Sequence, residues 1–252
     1  MIFLLTAEGI GAFALITLGV IFKKLNVASN VIHPMIRREI SRAGTKLLPM
    51  FLFVAIALGF LAIGQTVTLA TRFGAFDYVG AVMVTVVERE LGPLLAAVLA
   101  LTRAGTANVI ELGTARAQGE VEALEASGID PMHYLVAPRV IGMTLGVFSL
   151  TVYLILAALC SGYLFVFLQD VPLTPGQYFA EVVGSLNWQD FVLLALKSCA
   201  FGFFIGVVTC YHGLAQPLRL EEISRLTVRA ATECIVVCVL IDACFFFLYL
   251  HA

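Results

Sequence analysis

The chain has no GxxxxGK[ST] loop to cradle a phosphate, no GxSxG elbow and no HExxH helix; Lys46, in SRAGTKLL, is the nearest approach to a P-loop. It is therefore not expected to hydrolyse ATP, and any energy source belongs to another chain or to an ion gradient. None of the six cysteines (Cys160, Cys199, Cys210, Cys234, Cys238, Cys244) forms a CxxC, and all lie in apolar segments, where free Cys packs as a small hydrophobe. Cys234 and Cys238 share a helix face, but only His251 lies near enough in sequence to add a ligand. The other histidines, His33, His133 and His212, are scattered, so no metal is expected. The first residues, MIFLLTAEGIGAFALITLGVIF, lack a positive n-region and an A-x-A-like site, so no cleavable signal peptide is expected. Charge is scarce as well: 13% of 252 residues, against about 25% in a soluble domain. The net charge of −2 gives no reason to expect a nucleic-acid partner.

What remains is hydrophobic, with a mean hydropathy of +1.00. Apolar segments fall at about 2–22, 47–70, 79–101, 138–168, 191–211 and 230–250. Each is long enough to cross a hydrocarbon core of about 30 Å as a helix, which makes this an all-α polytopic membrane protein. The linkers sort by charge. Lys23, Lys24, Arg37, Arg38, Arg42 and Lys46 lie between the first two segments; Arg103, Arg116 and Arg139 lie in 103–139; and Arg219, Arg225 and Arg229 lie in 212–229. By contrast, 71–78 holds only Arg72, and 169–190 has neither Lys nor Arg. The positive-inside rule puts the first three linkers in the cytoplasm and the other two outside. Segment 2–22 has two readings: as a span it makes six crossings, and as an interfacial helix it leaves five. It contains Glu8, Gly9, Gly11, Thr17 and Gly19, and is followed by an amphipathic stretch with Val31, Ile32, Ile36 and Ile40 set against Arg37, Arg38 and Arg42.

The longest soluble piece, 104–137, contains GEVEALEASGIDP. Val121 and Leu124 stand at i, i+3 among Glu120, Glu122 and Glu125, and Gly128 precedes Ile129-Asp130-Pro131. This predicts a short amphipathic helix with a glycine C-cap. Leu124, Ile129 and Met132 on a solvated connector point to docking of a cytoplasmic partner.

Residues 86–95, VVERELGPLL, put Glu88-Arg89-Glu90 inside an apolar run, where each charge at a bilayer centre costs about 2.5–3.5 kcal/mol. Gly92-Pro93 removes a helix hydrogen bond just after them and predicts a bend, tolerated where protein or a cavity covers the backbone. Arg89 and Glu90 project about 100° apart on a helix, so both reach one crevice, paired with each other or across it. The guanidinium fork of Arg89 suits a phosphate, and the competing reading is a salt bridge between helices. Glu88 is expected to be the wettest of the three. Asp242, a lone acid in the last segment, either pairs with an arginine or titrates, and Lys197 is expected to snorkel.

The stretch RELGPLLAAVLALTRAGTANVIELGTARAQGEVEALEASGIDPMHYLVAPR, residues 89–139, resembles the signature of the MlaE family, the permease subunits of ABC-type lipid transporters that work with MCE proteins. The resemblance rests on Arg89-Glu90-Leu91-Gly92-Pro93, Thr102-Arg103-Ala104-Gly105, Glu111-Leu112-Gly113-Thr114, Ala123-Leu124, Gly128-Ile129-Asp130-Pro131 and Pro138-Arg139. Gln65, Arg72-Phe73-Gly74-Ala75 and Asp242 extend it to about 50–250. Ala115, Thr102 and Glu122 are mild departures from the family pattern. The resemblance implies an N-terminal interfacial segment over 1–46 and a permease domain over 47–252. That domain would have five spans, with a coupling helix at about 115–135 between spans 2 and 3. It implies a homodimer in a bacterial inner membrane and two cytoplasmic ATPase subunits that bind ATP and Mg, with no cofactor in this chain. It further implies a periplasmic ring, a hexamer, of MCE protein, with a STAS-domain partner in some relatives. Phospholipid would occupy a cavity between the two permeases. Arg103 and Glu111 join Asp242 as charges at membrane depth.

On the first span Leu61, Gln65, Thr68 and Leu69 fall at i, i+4, i+7, i+8, one stripe of a helix, with Val82 and Val86 expected opposite. They are the candidate acyl-chain lining, beside Arg89 and Glu90. The leading function is lipid transport driven by partner ATPases. A proton-coupled secondary lipid transporter using Glu90 and Asp242 is the alternative, and it would be expected to show internal repeats, which are not seen.

Overall fold

A computed structural model describes residues 2–24, 29–66, 84–168, 175–214 and 220–251, and all of their regular structure is helical. Among the described residues five helices are long and apolar enough to cross a membrane: Val31–Thr66, Thr85–Ala117, Met132–Leu164, Trp188–Leu214 and Ile223–Tyr249. We label the elements α1 (Ile2–Lys24), α2 (Ser29–Ala43), α3 (48–66), α4 (84–117), α5 (Glu120–Ala126), α6 (132–168), α7 (Pro175–Ser185), α8 (Trp188–Leu214) and α9 (Ile223–His251).

The N-terminal pair frames the bundle. α2 buries Ile32 and Ile36 and leaves Arg37 and Arg38 exposed, as its amphipathic pattern requires, although Val31 stays 50% exposed. It ends at Ala43, and a tight turn over Thr45–Leu47 leads into α3. α1 lies against α4, α6 and α8, where Ile10, Phe13 and Ala14 pack onto the buried Leu112, Val140 and Cys210. Its Phe13 ring meets Tyr211 of α8 edge-on at 5.6 Å.

Small residues set how closely the spans approach, as expected where lipid offers no hydrophobic drive for helix association. A Cβ at Gly202 of α8 would stand 2.6 Å from Thr144 Cα and 2.7 Å from Met143 O of α6. One at Gly142 of α6 would stand 2.6 Å from Glu39 Cβ of α2. With Gly146 and Gly206 they form the two GxxxG pairs of the chain, GMTLG and GFFIG.

Two elements depart from the sequence reading. The run expected to end at 101 stays helical to Ala117. Arg103 and Glu111 interrupt the apolar composition there but not the backbone hydrogen-bond ladder. The stretch 169–190, read as an outer linker, contains α7, which buries Tyr178 and Val182 against Phe51, Leu154 and Ala158. Tyr178 donates to Leu159 O at 3.1 Å, and burial pushes its phenol pKa up.

Candidate functional site

Pro93 has no N–H, so the carbonyl of Arg89, four residues earlier, loses its α-helical donor. The helix answers in two ways. Val84–Leu91 winds as a wide π-helical turn before α-helix resumes at Gly92, and such turns concentrate at functional sites. From α8, Lys197 Nζ reaches in and donates to Arg89 O at 2.7 Å.

Lys197 has no exposed surface and makes two further contacts, with Glu90 Oε2 at 3.2 Å and Asp242 Oδ1 of α9 at 2.7 Å. One ammonium thus ties α4, α8 and α9 together. Its neighbour is a second pair, Arg89 Nη2 to Asp190 Oδ1 at 2.9 Å. Asp190 also closes the start of α8, where its Oδ2 accepts the Asn187 N–H at 2.9 Å, the return half of a capping box. Tyr249 near the end of α9 covers both cations, its ring centre 5.2 Å from Arg89 Cζ and 5.9 Å from Lys197 Nζ. Glu88 lies within electrostatic reach of Arg89 and Asp190.

Several expectations are settled or corrected by this geometry. Arg89 and Glu90 do not pair with each other; each takes a partner from α8, which is the salt bridge between helices of the competing reading. Lys197 does not snorkel but is the hub, because three acceptors converge on it inside the bundle. Asp242 pairs with this lysine, not with an arginine. Glu88 is among the buried charged residues, at 6% exposure, because the turn that aims Arg89 at α8 carries Glu88 into the packed side beside Val87. Asp190, Lys197 and Tyr249 belong to the site and were missed as its members; Lys197, placed well inside an apolar run, was the one signal that pointed there.

The cluster holds four carboxylates, Glu88, Glu90, Asp190 and Asp242, against two cations. Asp190 occupies one Nη of Arg89, while its Nε and the Tyr249 hydroxyl are buried with no hydrogen-bond partner among the described residues. Of the expected lining, Leu61 is 66% exposed, Gln65 is exposed and Val86 half-buried, whereas Thr68, Leu69 and Val82 lie outside the described residues.

A second ionic group stands at the other end of the bundle. Glu111 of α4 accepts from both Nη atoms of Arg42, one of them at 2.6 Å, and lies 3.4 Å from Arg139 Nη2 of α6. Arg103, about two turns away along α4 in the π-helical stretch Leu101–Gly105, is exposed. Between α8 and α9, His212 Nε2 and Glu233 Oε2, both buried, are 2.7 Å apart.

At that same end sits the expected docking segment. α5 buries Val121, leaves Glu120, Glu122 and Glu125 exposed, and half-buries Leu124. Gly128, at φ +76°, donates to Glu125 O at 3.0 Å, and Ile129 N–H donates to Leu124 O at 3.0 Å. These two bonds make a Schellman ending, which needs the left-handed residue that glycine supplies without strain. Asp130 then accepts the Met132 N–H at 3.0 Å with Pro131 between them, so Gly128-Ile129-Asp130-Pro131 stops one helix and starts the next. The result is a rigid corner that presents Ile129, 41% exposed. Behind it a 380 Å³ cleft opens between α5 and α1, bordered by Phe13, Val121, Met132 and Tyr211. Among the described residues no three His, Cys, Asp or Glu side chains are grouped to hold a metal.

Five crossing helices, an ionic hub inside them and a rigid corner at one end define a multi-pass α-helical membrane protein. A family model described as Permease MlaE matches residues 36–248, and the chain belongs to that family. A probable ABC transporter permease protein of Rickettsia typhi is 27% identical over 231 residues, covering 90% of this chain and 86% of its own. A probable ABC transporter permease protein of Synechocystis is 32% identical over 188 residues, 70% of this chain and 69% of its own. The chloroplastic protein Trigalactosyldiacylglycerol 1 of Arabidopsis thaliana is 27% identical over 201 residues, 79% of this chain and 57% of its own. The chain is a permease component of an ABC transporter.

Proposed function

We propose that this permease moves phospholipid between a bacterial inner membrane and a periplasmic MCE-domain protein, as a homodimer driven by two cytoplasmic ATPase subunits. The observation that carries the reading is the ionic hub, where one turn of α4 binds α8 and α9 through Arg89–Asp190 and Glu90–Lys197–Asp242. A network shared by three spans would be the element that a change at the cytoplasmic end rearranges. The unpartnered Arg89 Nε and Tyr249 hydroxyl are donors suited to a phosphate oxygen, and Leu61 and Gln65 offer an exposed stripe for acyl chains. A relative named for a galactolipid supports a lipid substrate. The corner at Leu124–Pro131 is the surface for the ATPase. In this arrangement residues 1–46 are the membrane-surface segment and 47–252 the permease domain, and a STAS-domain protein would bind the ATPase, not this chain.

The alternative, a proton-coupled carrier, draws on the same Glu90–Lys197–Asp242 chain. Expression with candidate ATPase subunits, followed by ATPase assays and analysis of co-purified lipid, separates the two. Leu124→Asp is expected to lose the ATPase. Glu90→Ala is expected to keep assembly and alter bound lipid or ATPase rate. Full assembly of the Leu124 variant, with no lipid in any form, would overturn the proposal.

A further inference from the structure

At the end of the bundle that the Lys and Arg distribution assigns to the cytoplasm, a cleft of 320 Å³ opens between the α2–α3 turn and α4. Its lining is Arg42, Lys46, Leu47, Met50, Arg103 and Ala104: three cations, two long apolar side chains and no carboxylate. The three cations have different states. Glu111 holds Arg42 in a two-point clamp, which orients it. Lys46 and Arg103 are exposed and have no ion-pair partner among the described residues. Exposed cations are ordinary at this depth, but these come from segments about 57 positions apart in sequence and converge on one concavity. Leu47 and Met50 are half-buried, and both also pack on the protein core.

We propose that this cleft binds the phosphate of an anionic phospholipid from the cytoplasmic leaflet, with Lys46 and Arg103 on the phosphate and Leu47 and Met50 against the first methylenes of its chains. The shared chemistry is a phosphate oxyanion, which a free phosphate in the cytoplasm also offers; the apolar pair beside the cations favours the lipid. The site stands at the opposite end of the spans from the Lys197 hub. It requires only that the chain is inserted in this orientation, so it does not depend on what the transporter carries.

The test is native mass spectrometry of the full chain in detergent, offered phosphatidylglycerol or phosphatidylcholine. Wild type is expected to retain phosphatidylglycerol preferentially. A hydrogen bond to a charged group is worth about tenfold in affinity, so the double variant Lys46→Gln, Arg103→Gln should lose at least about tenfold. The charge-keeping double variant Lys46→Arg, Arg103→Lys should retain most of the binding, and thermal melts of all forms identify any that fails to fold. Arg37→Gln with Arg225→Gln removes the same charge from exposed positions outside the cleft and should change little. An equal loss in that control would mean diffuse attraction and would overturn the site, as would unchanged binding in the glutamine variant. Displacement of phosphatidylglycerol by millimolar inorganic phosphate would overturn the lipid assignment in favour of a free anion.

Discussion

Lys197 Nζ donates to the main-chain carbonyl of Arg89 at 2.7 Å, and that carbonyl is the acceptor Pro93 leaves without its α-helical donor. A proline in one span and a lysine in another thus compensate each other. Replacing Lys197 by Met strands that carbonyl together with Glu90 and Asp242. Removing one partner of a buried ion pair costs about 3–5 kcal/mol. Lys197→Met is therefore expected to melt well below wild type in detergent. The triple variant Lys197→Met, Glu90→Gln, Asp242→Asn should recover a large part of the loss. Failure of the triple to recover would place the role of Lys197 in packing.

Arg89 and Asp190 should show coupling in a double-mutant cycle. Each of Arg89→Gln and Asp190→Asn leaves a partner poorly compensated, and the double variant leaves neither charge. A coupling of about 1–3 kcal/mol in unfolding stability is expected for side chains in direct contact. Strict additivity would mean that the 2.9 Å pair does not form in the membrane-embedded protein.

Gly202→Ala should be costly because the atoms it would meet, Thr144 Cα and Met143 O, are backbone and cannot rotate away. Overpacking of this kind costs about 1–3 kcal/mol. At Gly11 nothing lies within 4 Å, and Gly11→Ala should melt like wild type. Thermal melts of the two variants side by side check the claim.

Gly128→Ala forces a side chain into φ +76°. The local cost is about 1 kcal/mol, and it falls on the corner formed by α5 and Asp130. Faster amide exchange over 124–129 is expected with little change in global melting. If the corner seats the ATPase, assembly with that subunit should weaken too. Normal exchange would show that the Schellman bonds do not hold this turn.

The all-helical, polytopic class was legible because it depends on composition within some twenty residues, whereas composition left six crossings or five and only the family resemblance favoured the five that the structure shows. The helix stop at Gly128 and restart at Asp130-Pro131 were legible for the same reason: backbone conformation there follows from one left-handed residue and one cap. The change of winding at Gly92 was likewise written in Gly92-Pro93, although the helix runs on without a break from 84 to 117. By contrast, the partners of Glu90 and Arg89 were not legible. Glu90 meets Lys197 from 107 positions away, and helical periodicity says only which residues share a face, not which face of another span lies opposite. Glu88 was misplaced on that account: a wide π-helical turn rotates side chains away from the 100° spacing. The extension of α4 through Arg103 and Glu111 escaped hydropathy too, since the charge of Glu111 is met by Arg42 and Arg139 from other helices. The sequence by itself therefore determined the helical, polytopic class and the stop at Gly128, which are local hydrogen-bonding and solvation choices. Only the tertiary structure decided which charges neutralise one another, because that depends on how closely glycines such as Gly202 let the helices approach.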